Sequence, residues 1–161
     1  MKFSVKDLDL DQLEKEIILE SQEIWDPNGK RTYDNVFNMV SIGKPPELFL
    51  KEKAKFTDDT RKYHDLISPC GHSVEVKVRN PKDVATTLID LSNKRSDPTR
   101  YLQSEWVFIF GMAKRYPDTE YSLLGTYKWN GDQYTAAKFD WKAEYEQWNS
   151  LNEDRKFLEE F

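Results

Sequence analysis

Cysteine is nearly absent from this sequence, Cys70 being its sole representative. An intrachain disulfide is thereby excluded, and a reducing compartment is the expected setting. Long apolar runs are missing as well. The strongest, Trp106 to Met112, is far too short to cross a membrane. The opening stretch MKFSVKDLDLDQLEKE lacks the apolar core of a secretory signal. A soluble, intracellular, cytoplasmic protein without a membrane partner is the expectation. There is no basic excess either, since 24 Lys and Arg face 29 Asp and Glu for a net charge of -5. Proteins that hold DNA chiefly by neutralising phosphates are usually basic. Any nucleic-acid contact here must therefore come from a local basic groove or from bound cations. Aromatics, by contrast, are plentiful at 14%, with five Trp, which argues against disorder. The chain length suits one domain, residues 1–161, burying roughly two-thirds of its unfolded surface without a covalent staple.

The first periodic segment is Leu8 to Trp25, where Leu10, Leu13, Ile17, Ile18 and Ile24 recur at helical spacing opposite an acidic face. Asp26-Pro27-Asn28-Gly29 stops it. Tyr33 to Val40 reads as a second helical piece, broken at Gly43. Pro45-Pro46 then suits the first turn of a new helix running to about Phe56. Thr57-Asp58-Asp59-Thr60 reads as a loop. Beyond it the period turns strand-like, and Ser73 to Arg79 alternates, with Val74, Val76 and Val78 on one face and Glu75, Lys77 and Arg79 on the other. Pro81 opens a helix through Val84, Leu88 and Leu91 to about Asn93. Glu105 to Met112 is apolar throughout, as a strand covered on both faces would be. Tyr121 to Trp129 is a further strand, closed at Asn130-Gly131. Phe139 to Phe161 reads as one or two amphipathic helices. This order implies an α/β (α+β) domain around a small mixed sheet flanked by helices.

The stretch that carries chemistry is Tyr63 to Arg79. Ser68-Pro69-Cys70-Gly71 has the residues of a type I turn, and Gly71 suits the left-handed position of a three-residue hairpin loop. That loop sets Ser68 opposite His72, Ile67 opposite Ser73, Leu66 opposite Val74, and Asp65 opposite Glu75. Asp65 then shares the polar face with Glu75 and Lys77, while His64 turns inward with Leu66 as a core histidine. A slip of one residue would reverse every face. Like charges placed opposite each other destabilise a sheet, so paired carboxylates here call for a cation or a salt bridge to Lys77. Two carboxylates with waters are a common ligand set for Mg²⁺, and a lysine beside them can orient water or stabilise charge on a phosphate.

Asp65, nine residues, Glu75, one residue and Lys77 resemble the core motif of the PD-(D/E)XK nucleases, the restriction endonuclease-like superfamily. In that family the hairpin follows a helix that often carries a glutamate, which Gly43-Lys44-Pro45-Pro46-Glu47 resembles. A helix and a hydrophobic strand come after it, as Pro81 to Asn93 and Glu105 to Met112 do here, and Leu123-Leu124-Gly125 is similar to the next strand. The resemblance implies a restriction endonuclease-like core over about residues 43–129, with N-terminal helices 8–40 and C-terminal helices 139–161 packing on it. It implies that Asp65, Glu75, the Val76 carbonyl and Glu47 hold Mg²⁺ or Mn²⁺. Lys77 would assist the nucleophilic water, making Asp65, Glu75, Lys77 and Glu47 the catalytic set. Arg79, Lys82 and Gln103 are candidates to contact DNA. No proline precedes Asp65, where His64 stands, so the first motif departs from the family's name.

Simpler readings stand beside these. Asp140-Trp141-Lys142 and Asp154-Arg155-Lys156 repeat the acid-x-Lys pattern, but in an expected helix, where residues two apart do not share a face. Glu47 in a helix's first turn would be favoured by the dipole alone. Arg79 suits phosphate or a surface acid equally. Cys70 and His72 lack the further ligands of a structural zinc site, and Cys70 lacks a fixed base. The C-terminal Trp and Tyr residues read as packing rather than base-stacking platforms. Three functions follow. The first is a metal-dependent DNA nuclease, endo- or exonucleolytic, serving restriction, repair or phage DNA processing. The second is a catalytically inactive nuclease-like module that binds nucleic acid or protein. The third is an interaction protein that docks a partner through Leu8 to Trp25 and Phe139 to Phe161. Cutting both strands needs two active sites, which makes a homodimer the natural assembly for the first.

Overall fold

A strand that is apolar at every position has to be covered on both faces, and the sheet is built around such a strand. The computed structural model describes residues 1–59, 65–96, 104–114, 118–147 and 149–150. Its strands are β1 (Lys2–Ser4), β2 (Thr57–Asp58), β3 (Leu66–Ile67), β4 (Ser73–Val78), β5 (Trp106–Ala113), β6 (Glu120–Trp129) and β7 (Tyr134–Ala136). They lie in the order β1-β6-β5-β4-β3-β2, with β7 also paired to β6. β4 and β5 run parallel, and every other pair is antiparallel. The helices are α1 (Leu10–Ile24), α2 (Tyr33–Ala54) and α3 (Val84–Ser96), and residues 141–147 are helical as well. The fold is mixed α+β, as the order of patterns in the sequence implies.

Along β5, alternate residues feed separate cores. Trp106, Phe108 and Phe110 join Val74 and Val76 of β4 and the buried stripes of α1 and α2 in the larger cluster. Val107 and Ile109 face the other way, toward Leu91 of α3 and Tyr134 of β7. β4 alternates as expected, with Glu75 and Lys77 on the face opposite its buried valines. The parallel β4–β5 pair needs a crossover, which α3 supplies. A 3-10 turn at Pro81–Asp83 starts that crossover, Pro81 standing where no helical N–H is needed.

α1 is capped by Asp9, whose carboxylate accepts the Gln12 N–H at 3.1 Å. It buries Leu13, Ile17 and Ser21, a single i, i+4 stripe. α2 departs from the expected pair of helical pieces. It is continuous from Tyr33 to Ala54 and carries Pro45 and Pro46 in its interior. A proline there removes a helical donor, so Pro46 leaves the Ile42 carbonyl without its partner. The Tyr121 hydroxyl, from β6, donates to that carbonyl at 2.8 Å. Both prolines are buried, and their packing offsets the helical bonds they remove. Consequently Glu47 stands in mid-helix, and the N-terminal dipole does not account for it.

Thr57–Asp58 pairs with β3 as a short edge strand rather than a loop. β1 and β7, which no pattern announced, occupy the two ends of one edge of β6. Both lie outside residues 43–129, so the sheet extends beyond the core implied by the resemblance. Phe139 and Trp141 pack against Phe108 and Phe56, consistent with a packing role for the C-terminal aromatics. The expected helix beyond residue 150 lies outside the described residues. Among the described residues no helix is long and apolar enough to cross a membrane.

Candidate active site at the β3–β4 hairpin

The hairpin forms as its turn chemistry dictates. Gly71 takes a left-handed φ of 90°, and its N–H donates to the Ser68 carbonyl at 2.9 Å. Ser68 N–H donates to His72 O at 2.8 Å, and the Ser68 hydroxyl accepts His72 N–H at 3.0 Å. Ile67 faces Ser73 and Leu66 faces Val74, the register anticipated from the turn. The tip is tied down from elsewhere. The buried Glu144 accepts the Cys70 N–H at 2.8 Å, and His72 Nδ1 lies 2.7 Å from Glu105. Burial and Glu144 push the Cys70 thiol up to about 11, which disfavours the thiolate at neutral pH.

β3 ends at Leu66, and beyond it a side chain takes over along the edge of β4. Asp65 Oδ2 accepts the Val76 N–H at 2.8 Å, in the place of a strand partner. Glu75 and Lys77 meet on the adjoining face at 3.1 Å, with Glu75 only 15% exposed and Lys77 29%. This ion pair is one of the arrangements that crowded carboxylates called for. Burial and then the charge of Glu75 raise Asp65 to about 7, although the Val76 N–H and Lys77 pull the other way. Glu47, brought up by α2, is held well above the ordinary carboxylate range by burial and by Asp65, against the pull of Lys44 and Lys51.

Two residues that sequence reasoning passed over belong here. Glu20 of α1 adds its charge to those acting on both Glu47 and Asp65. Lys44 of α2 pairs with Glu20 at 3.2 Å. Glu16 and Glu20, one turn apart, flank the buried stripe of α1 (Leu13, Ile17 and Ser21), and that adjacency was the available signal. Glu16 pairs with Lys51, which also meets Asp58 at 3.2 Å.

Of the expected DNA contacts, Arg79 is exposed; its N–H extends the β4–β5 ladder to Phe110 O at 2.9 Å. Its guanidinium donates to the Val78 carbonyl at 2.8 Å. Lys82 is exposed on the turn before α3. Gln103 and His64 lie outside the described residues. The charge of Glu75 thus acts on Asp65, and that of Asp65 acts on Glu47. Among the described residues, however, no three carboxylate, imidazole or thiol side chains converge on one point as a metal-binding set. No protein-family model, curated protein or solved structure matches the chain.

Proposed function

We propose that the chain is a metal-dependent nuclease of the PD-(D/E)XK, restriction endonuclease-like kind, which hydrolyses DNA phosphodiester bonds. The observation that carries this reading is Asp65 bonded to the Val76 N–H directly beside the Glu75–Lys77 pair. The order α2, β3–β4 hairpin, α3, β5, with β5 parallel to β4, agrees with the family pattern. The donor chemistry fits a hard divalent cation. Asp65 and Glu75 supply oxygens, the carbonyl of Val76 is next in the chain after Glu75, and Mg²⁺ or Mn²⁺ needs no more than one or two carboxylates plus water. Burial, and then the charge of neighbouring acids, raises both Asp65 and Glu47, which also marks a place short of positive charge. Such a cation, when bound, would supply the charge that polarises the scissile phosphate.

The remaining work falls to the chain. Asp65 is oriented by the β4 backbone through one oxygen, and its other oxygen would face the cation. Lys77, tethered by Glu75, places an ammonium where it can donate to the attacking water or to a phosphate oxygen. Glu47 supports the set from α2. Arg79 and Lys82, exposed at the end of β4 and just beyond it, are placed to meet flanking phosphates. Cleavage should be assayed on linear, circular, single-stranded and branched DNA with Mg²⁺ or Mn²⁺, using Lys77→Ala and Glu75→Ala as controls. Metal-dependent cutting that falls by at least about 10²-fold in both variants is expected. Absence of cutting on every substrate, with no Mn²⁺ binding by calorimetry, would sink the proposal.

One observation favours a second reading, an inactive nuclease-like module that binds nucleic acid or protein. Glu75 already has a cation in Lys77, and a site satisfied in this way has no need of metal. Mn²⁺ binding separates the two readings.

A further inference from the structure

We propose that His72 is a proton-operated latch: its imidazolium ties the helix at residues 141–147 to the tip of the β3–β4 hairpin, and loss of its proton loosens that helix beyond its first turn. The inference does not depend on the nuclease reading. His72 stands between two carboxylates on different elements. Its Nδ1 lies 2.7 Å from Glu105 Oε2, just before β5, and its Nε2 lies 3.5 Å from Glu144 Oε1, on the helix. An ionised carboxylate can only accept, and a neutral imidazole carries one N–H. At 2.7 Å the Glu105 contact claims that N–H for Nδ1, which leaves the Nε2 lone pair facing Glu144. Only the imidazolium donates toward both acids.

The surroundings make Glu144 depend on that proton. Its side chain is 8% exposed, and an acid that far from water needs partners to stay charged. One oxygen accepts the Cys70 N–H at 2.8 Å. Among the described residues, His72 is the positive group paired with it. Glu105, by contrast, is half-exposed and also has Lys128 at 3.9 Å, so it tolerates loss of the imidazolium. The other titratable group at the tip is Cys70, whose thiol, pushed up to about 11, stays protonated around neutral pH. The start of the helix has an anchor of another kind, since Trp141 packs on Phe56 and Phe108. Deprotonation of His72 therefore releases Glu144 and the residues after it while Trp141 stays seated. Histidine is the side chain whose ordinary charge change falls between about pH 5 and 8. The latch closes toward the acid end of that range and opens toward the basic end.

The test is hydrogen exchange of the full chain, read by mass spectrometry at about pH 5.5 and about pH 8, with the intrinsic exchange rate divided out at each pH. In the wild type the protection of residues 144–147 should fall about tenfold from the lower pH to the higher, beyond any change in β5. His72→Gln, which cannot take up the proton, should show the low protection at both. His64→Gln, at the chain's other histidine, should keep the wild-type fall. In Glu144→Gln a side-chain N–H can meet the bare Nε2, so protection should hold at the higher pH. Equal protection at both pH values in the wild type would overturn the inference, and so would a fall that survives in His72→Gln. Should His72→Gln fail to fold by circular dichroism, Glu144→Gln decides, and a tenfold fall there defeats the latch.

Discussion

At neutral pH the Asp65 carboxyl, raised to about 7 by burial and by Glu75, is close to half protonated. In the unfolded chain it ionises near the ordinary 3.8. Between those values the folded protein binds more protons than the unfolded one. Asp65 therefore stabilises the fold relatively at low pH and loses that contribution as pH climbs toward 7. Asp65→Asn removes the titration while keeping an oxygen for the Val76 N–H. Its advantage in melting temperature over the wild type should grow from pH 4 to pH 7 and then level off. On the order of 4 kcal/mol is expected at the plateau, roughly 8–16 °C for a chain of this length. A difference that stays flat across that range would contradict the environment assigned to Asp65. The same repulsion was legible in part from sequence, because the turn placed Asp65 against Glu75. The contribution of Glu20 was not, since it reaches Asp65 through the packing of α1 and not through local spacing.

Elements divide along the same line between local and distant causes. The β3–β4 hairpin was readable because Ser68, Pro69 and Gly71 specify the turn within four residues, and the turn sets the register. β5 was readable because an apolar residue at every position admits few placements. α2 was not. Its prolines forecast a break at Gly43, yet the carbonyl freed by Pro46 is satisfied by Tyr121, a residue of β6. β1 and β7 are three residues each and owe their conformation to the edge of β6. A double-mutant cycle tests the account of α2. Tyr121→Phe should cost about 1 kcal/mol by urea unfolding, because a part-buried hydrogen bond to the Ile42 carbonyl is lost. The same change in a Pro46→Ala background should cost clearly less, since alanine at that position restores the helical N–H to Ile42. Equal costs in both backgrounds would mean that the hydroxyl does something else.

Taken as a whole, the molecule has cores of unequal size on the two faces of its sheet. The larger joins α1, α2, β1, β4, β5 and Phe139, whereas the smaller rests on Leu91, Val107, Ile109 and Tyr134 with a few half-buried neighbours. Opening the smaller face strips less apolar surface from its packing, so α3 and β7 should open without the rest of the fold. Hydrogen exchange followed by mass spectrometry should find α3 amides exchanging faster than those of β5, whose protection should match global unfolding. Equal protection would argue for a single cooperative unit. The Asp65–Val76 bond has its own consequence at this scale. Asp65 takes the Val76 N–H, a donor that a strand offers to any extended chain laid beside it. While Asp65 holds it, that donor is not open to a strand from another chain. A carboxyl on that donor is therefore also a guard against self-association, and Asp65→Asn, which keeps an oxygen there, should stay as soluble as the wild type where Asp65→Ala does not.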